Sequence, residues 1–151
     1  MARPSVAPLL IGTFILRANS GATTIVLGLL LAQLASLTAH SITSLQVGLL
    51  PIAFYCTELT LAPFMGSLSD RWSRRPFLVI GPCLGLFQVG LLFFTPTKNP
   101  LPYLLCLQVL AGLSGAMSTP AVLGYLADIT AQNQVRRVRV MSFYELVTSG
   151  G

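Results

Sequence analysis

Long apolar runs alternate with short polar joints along the whole chain. A helix needs about twenty apolar residues to cross a bilayer core. Four stretches meet that requirement, at residues 8–37, 45–68, 77–94 and 101–127, and a fifth apolar run opens near Val138. The first stretch is interrupted by Arg17 and by Ala18-Asn19-Ser20, a small-residue triplet that could be cleaved. Apolar sequence nevertheless resumes at Ala22 and continues to Leu37, whereas the apolar core of a signal peptide is only about 7–15 residues long. The stretch therefore reads as a retained first helix. Because the joints are short, consecutive helices are predicted to be antiparallel neighbours. The expected fold class is an all-α membrane protein, an antiparallel transmembrane helix bundle.

Prolines and small residues refine this pattern. Pro76 is expected to start the third helix, where a missing N–H costs nothing. Pro96, Pro100 and Pro102 bracket the following joint, while Pro51, Pro63 and Pro120 fall inside spans and should loosen or kink them. Gly81 with Gly85, and Gly112 with Ala116, have the small-xxx-small spacing that lets membrane helices approach closely.

Composition agrees with the pattern. The chain of 151 residues is 54% hydrophobic and 9% charged, with a mean hydropathy of +0.77. Soluble domains carry about 25% charged residues. The net charge of +5 comes from arginines in the joints, so the expected partner is a lipid bilayer and not a nucleic acid. Arg3, Arg71, Arg74, Arg75, Arg136, Arg137 and Arg139 fall on one side of the predicted topology, and Lys98 stands alone on the other. Basic residues stay in the cytoplasm, which predicts a multi-pass protein of the cytoplasmic membrane with its N-terminus inside the cell. Cys56, Cys83 and Cys106 lie in apolar runs without ligand spacing and are expected to be small buried hydrophobes. His40 has no clustered partner, and no metal or cofactor is predicted.

Residues 66–76 are the most specific segment. They read Gly-Ser-Leu-Ser-Asp-Arg-Trp-Ser-Arg-Arg-Pro and hold four of the thirteen charged side chains, in what is expected to be a loop of about eight residues. The run resembles the motif G-x-L-x-D-[RK]-x-G-[RK]-[RK] between the second and third helices of the major facilitator superfamily. Gly66, Leu68, Asp70, Arg71, Arg74 and Arg75 match, and Ser73 stands where that family has glycine. Serine tolerates a glycine-type backbone less well, at a cost of about 1 kcal/mol. Gln108-Val-Leu-Ala-Gly112 is similar to the R-x-x-x-G segment of the fourth helix, with glutamine replacing arginine. Tyr125-Leu-Ala-Asp128, followed by Arg137, resembles the exit from the fourth helix and the entry to the fifth.

The resemblance implies the N-terminal half of a secondary transporter, present here as four helices and the start of a fifth. It implies alternating access of a small-molecule substrate, with residues 66–76 as a cytoplasmic gate element. Asp70 would dock on a helix start in the other, C-terminal half, and Arg74 would join a charge network with Asp128 and Arg137. The open fifth helix leads to the expectation of a fragment of a longer transporter. A small oligomeric four-helix exporter, or a non-transporting truncated product, is the alternative.

Three ionisable residues fall within predicted spans: Arg17, Glu58 and Glu145. A charge at the bilayer centre costs about 3 kcal/mol even on the mildest scales, so each needs a partner or a wet cavity. Glu58 lies ten residues before Leu68, about 15 Å from the cytoplasmic end, with Thr57 and Thr60 beside it. Arg17 can reach either Glu145, at similar depth, or Glu58. Arg17, Asn19, Glu58, Gln108 and Glu145 are thus the candidate substrate or proton site, with Gln33 and Gln88 as further polar positions. No phosphate-binding loop, histidine cluster or nucleophile–base pair points to an enzyme.

Overall fold

The computed structural model describes residues 12–14, 21, 23–33, 44–96 and 98–149. Helix α1 covers Thr23–Gln33, α2 Ser44–Trp72, α3 Arg74–Leu92, α4 Pro100–Thr130 and α5 Gln134–Ser149. There is no strand among the described residues. Helices α2, α3 and α4 are each long and apolar enough to cross a membrane. Their outer surface is apolar: Leu59 is 74% exposed and Leu86 66% exposed. Such a surface suits solvation by lipid. The same logic corrects the expectation for the cysteines. Cys56, Cys83 and Cys106 are exposed, because an apolar position in a span can face lipid as readily as protein.

Helix α4 is the centre of the bundle. Helices α2 and α3 both pack along it and barely touch each other, so they are not the side-by-side neighbours that short joints predicted. The cause is that α4 carries two faces of small residues. A Cβ on Gly112 would stand 2.5 Å from the Phe54 carbonyl oxygen and 2.8 Å from Thr57 Cβ, so α4 rides directly on the α2 backbone. On the other face, the Ser114 hydroxyl donates to the Gly81 carbonyl at 2.6 Å, and Ser118 fills the space that Gly81 leaves open. The two pairs Gly81/Gly85 and Ser114/Ser118 thus interlock across α3 and α4.

The joint at residues 66–76 is not a loop. Helix α2 continues through Trp72, α3 begins at Arg74, and Ser73 alone separates them. The Ser69 hydroxyl bonds back to the Gly66 carbonyl at 2.9 Å, and Arg74 pairs with Asp70 one turn away, so local contacts carry the helices to the break. Ser73 takes φ 155° and ψ 144°, a conformation essentially reserved for glycine. The family's glycine at this position has its physical reason there. Before α4, Asn99 adopts a left-handed conformation at φ 52°, which asparagine tolerates, and Pro100 opens the helix. Pro51, Pro63 and Pro120 lie inside helices as expected, joined by Pro82 in α3.

Two apolar clusters hold the bundle at different heights. Leu27, Leu31, Leu50, Leu92, Leu104 and Leu107 join α1 to α4 near one end. Val122, Leu126 and Tyr144 join α4 to α5 near the other. The fifteen helical steps of α4 from Leu107 to Val122 span about 22 Å, and a cavity opens in that interval.

Gly112→Ala forces a methyl group against backbone that cannot yield. It should destabilise the detergent-solubilised protein by about 1–3 kcal/mol, whereas Gly90→Ala, facing open space, should change stability by less than about 0.5 kcal/mol. Thermal unfolding of both variants checks this, and equal effects would contradict the packing.

Candidate functional site

The cavity has a volume of ≈ 460 Å³ and is lined by residues of α1 to α5. Its wall is mainly apolar and aromatic, including Phe54, Tyr55 and Tyr144, with Glu58, Gln88 and Gln108 as polar points. Glu58 is brought here by α2, and its carboxylate lies over Gly115 of α4. A Cβ at Gly115 would stand 2.9 Å from Glu58 Oε1, so the missing side chain makes room for the acid. No ion pair or hydrogen bond to this carboxylate occurs among the described residues. Thr57, expected to form a polar patch with Glu58, instead donates to the Ala53 carbonyl of its own helix at 2.8 Å, and Thr60 is exposed.

Gln108, standing where the related motif has arginine, also faces the cavity. Its Nε2 donates to the Leu50 carbonyl at 3.4 Å, a long bond that ties α4 to α2. Arg17 and Asn19 lie outside the described residues. Glu145 is exposed on α5 and shares an open groove with Arg137, apart from the Glu58 cavity. Tyr144, its neighbour in sequence, is 5% exposed and reaches the cavity instead. Sequence reasoning missed Tyr144. Its signal was helical spacing: Val140, Met141 and Tyr144 form the α5 stripe that packs on α4.

A second cluster lies at the far end of α2. The Arg74 Nη2 donates to Asp70 Oδ1 at 2.7 Å, and Nη1 stands 3.2 Å from Asp128 Oδ2 of α4. One guanidinium therefore links the end of α2, the start of α3 and the end of α4. Arg74 is the least exposed member, half-buried at 23% side-chain exposure, while Asp70 and Asp128 are 62% and 63% exposed. Nη1 is close enough to Asp128 for charge attraction but is not aligned for a hydrogen bond. It is held in place by Gly124, over which the guanidinium packs in direct contact. Gly66 also approaches α4 here, with Pro120 Cβ 3.5 Å from where its own Cβ would be. Leu68 is half-buried, while Arg71, Arg75 and Arg137 are exposed and form no ion pair among the described residues. No group of acids, histidines and cysteines among the described residues could hold a metal ion.

The Arg74–Asp128 contact and the Gly124 gap are one device. Asp128→Asn and Gly124→Ala should each lower stability by about 0.5–1 kcal/mol, and the double variant should lose less than the sum. Strictly additive losses would show that Gly124 does not position Arg74.

Comparison with known proteins places these features in context. Residues 9–151 match the Major Facilitator Superfamily. Quinolone resistance protein NorA of Staphylococcus aureus is 33% identical over 93 residues, which are 62% of this chain and 23% of that protein. The bacillibactin exporter of Bacillus subtilis is 33% identical over 93 residues, 59% of this chain and 23% of the exporter. The matched stretch thus spans less than a quarter of either relative. No solved structure matches the chain significantly.

Proposed function

This chain belongs to the Major Facilitator Superfamily of membrane transporters, and we propose that it supplies part of a secondary exporter that moves a small amphipathic organic solute by alternating access. The observation that carries this is the Glu58 carboxylate. It opens into a mid-bundle cavity with no protein partner among the described residues. An acid at that depth is retained for use, because an idle one would be costly. The cavity's apolar and aromatic wall would hold the body of the solute, and Glu58 would take its cationic group or a proton exchanged for it. The relative named as a bacillibactin exporter supports an outward direction, and the one named for quinolone resistance supports an organic solute.

The Arg74 cluster gives this proposal its gate. Arg74 keeps the ends of α2 and α4 together, and Asp70, more than half exposed, presents its carboxylate outward to a partner helix. In this reading that helix comes from a C-terminal half, docking on Asp70 closes the cytoplasmic side, and separation opens it. Arg71 and Arg75 are exposed beside this cluster, and in this reading the arginine-rich side is the cytoplasmic one.

Solute uptake into inside-out vesicles carrying the full-length gene product tests the proposal. Glu58→Gln should reduce uptake at least about tenfold and flatten its dependence on the pH gradient. Unchanged uptake with unchanged pH dependence would refute a role for Glu58. In the same vesicles Asp70→Asn should raise cytoplasmic labelling of a cysteine placed in the cavity. Equal labelling of mutant and parent would refute the gate.

A further inference from the structure

Gln88 is an anomaly in the bundle. It lies on α3, is 3% exposed and lines the same cavity as Glu58. Its amide Nε2 is buried and makes no hydrogen bond among the described residues. Native proteins leave few such donors unmet, and a membrane interior makes each one more costly. Packing does not account for it. Gln88 sits one turn beyond Gly85, on the face of α3 that meets α4, where leucine would fill the space with no orphaned donor. The neighbouring polar groups behave differently. Gln108, Ser114 and Ser118 each direct a donor to a backbone carbonyl, at 3.4, 2.6 and 2.8 Å. Gln88, which lines the cavity, is alone among these four in having a buried donor without a partner among the described residues.

We propose that Gln88 is a specificity-determining residue of the solute site, donating from Nε2 to a hydrogen-bond acceptor on the bound solute. This rests on the reading of the cavity as a solute site. It deepens that reading by defining two points of recognition: Glu58 takes a positive centre, and Gln88 takes a carbonyl or carboxylate oxygen. The solute class is then a small amphipathic molecule carrying both groups, and cations that lack an acceptor bind without using Gln88. A site with a waiting donor discriminates well, because a ligand without the acceptor leaves that donor unmet.

Two probes separate the possibilities in vesicles carrying the full-length gene product. A fluoroquinolone has an amine together with keto and carboxylate oxygens, whereas tetraphenylphosphonium is a lipophilic cation without an acceptor. Gln88→Leu should weaken equilibrium binding of the fluoroquinolone about tenfold, the effect of one good hydrogen bond, and leave tetraphenylphosphonium within about twofold. The same variant should unfold at a higher temperature than the parent, since the orphaned donor is gone. Gln88→Met, closer in shape, should behave in the same way and replaces the leucine variant if that one fails to insert. Equal loss for both probes, or no loss for either, overturns the role of Gln88. Failure of the parent protein to bind either probe overturns the solute-site reading itself, and this inference with it.

Discussion

The direct contact of α4 with the α2 backbone at Gly112 is the constraint on which the bundle rests. Inside a bilayer, apolar burial gives helices little reason to associate, because lipid solvates leucine as well as a neighbouring helix does. Close packing and interhelical hydrogen bonds must hold them. Helix α4 supplies both, with Gly112 against α2 and the Ser114 hydroxyl on the Gly81 carbonyl of α3. A chain with larger residues at these positions would keep its apolar spans and lose the geometry that forms the cavity.

The same helix seats two charged side chains, Glu58 and Arg74. Gly115 leaves room for the Glu58 carboxylate, and Gly124 leaves room for the Arg74 guanidinium. Nine helical steps separate these glycines, about 13 Å along the axis. Helix α4 therefore sets the distance between the cavity and the Arg74 charge cluster. A shift of α4 against α2 would disturb both together.

Much of this was legible in the sequence, and the losses have physical causes. Spans were readable because the length of an apolar run reports bilayer thickness. The motif at residues 66–76 was readable because charges are rare in such a chain. The family resemblance implied a charge network of Arg74 with Asp128 and Arg137; Arg74 stands 3.2 Å from Asp128, while Arg137 forms no ion pair among the described residues. The loop expected at residues 66–76 is instead two helix ends, because Asp70 and Arg74 pair across a single non-helical residue. The exposed cysteines show that hydropathy reports the solvent of a span and not which face meets protein. Gln88 was visible as a polar residue in an apolar run, but its unmet donor depends on what α4 places opposite it, and only the folded chain shows that.

The central claim is that Glu58 faces a water-accessible solute cavity while the adjacent Leu59 faces lipid. Labelling with a membrane-impermeant, thiol-reactive reagent tests this directly, in a full-length background whose native cysteines have been replaced. Glu58→Cys should label and be protected by bound solute, and Leu59→Cys, at a position 74% exposed on the outer surface, should remain unlabelled. Labelling at position 59 with none at position 58, or no protection by solute at position 58, would contradict the account.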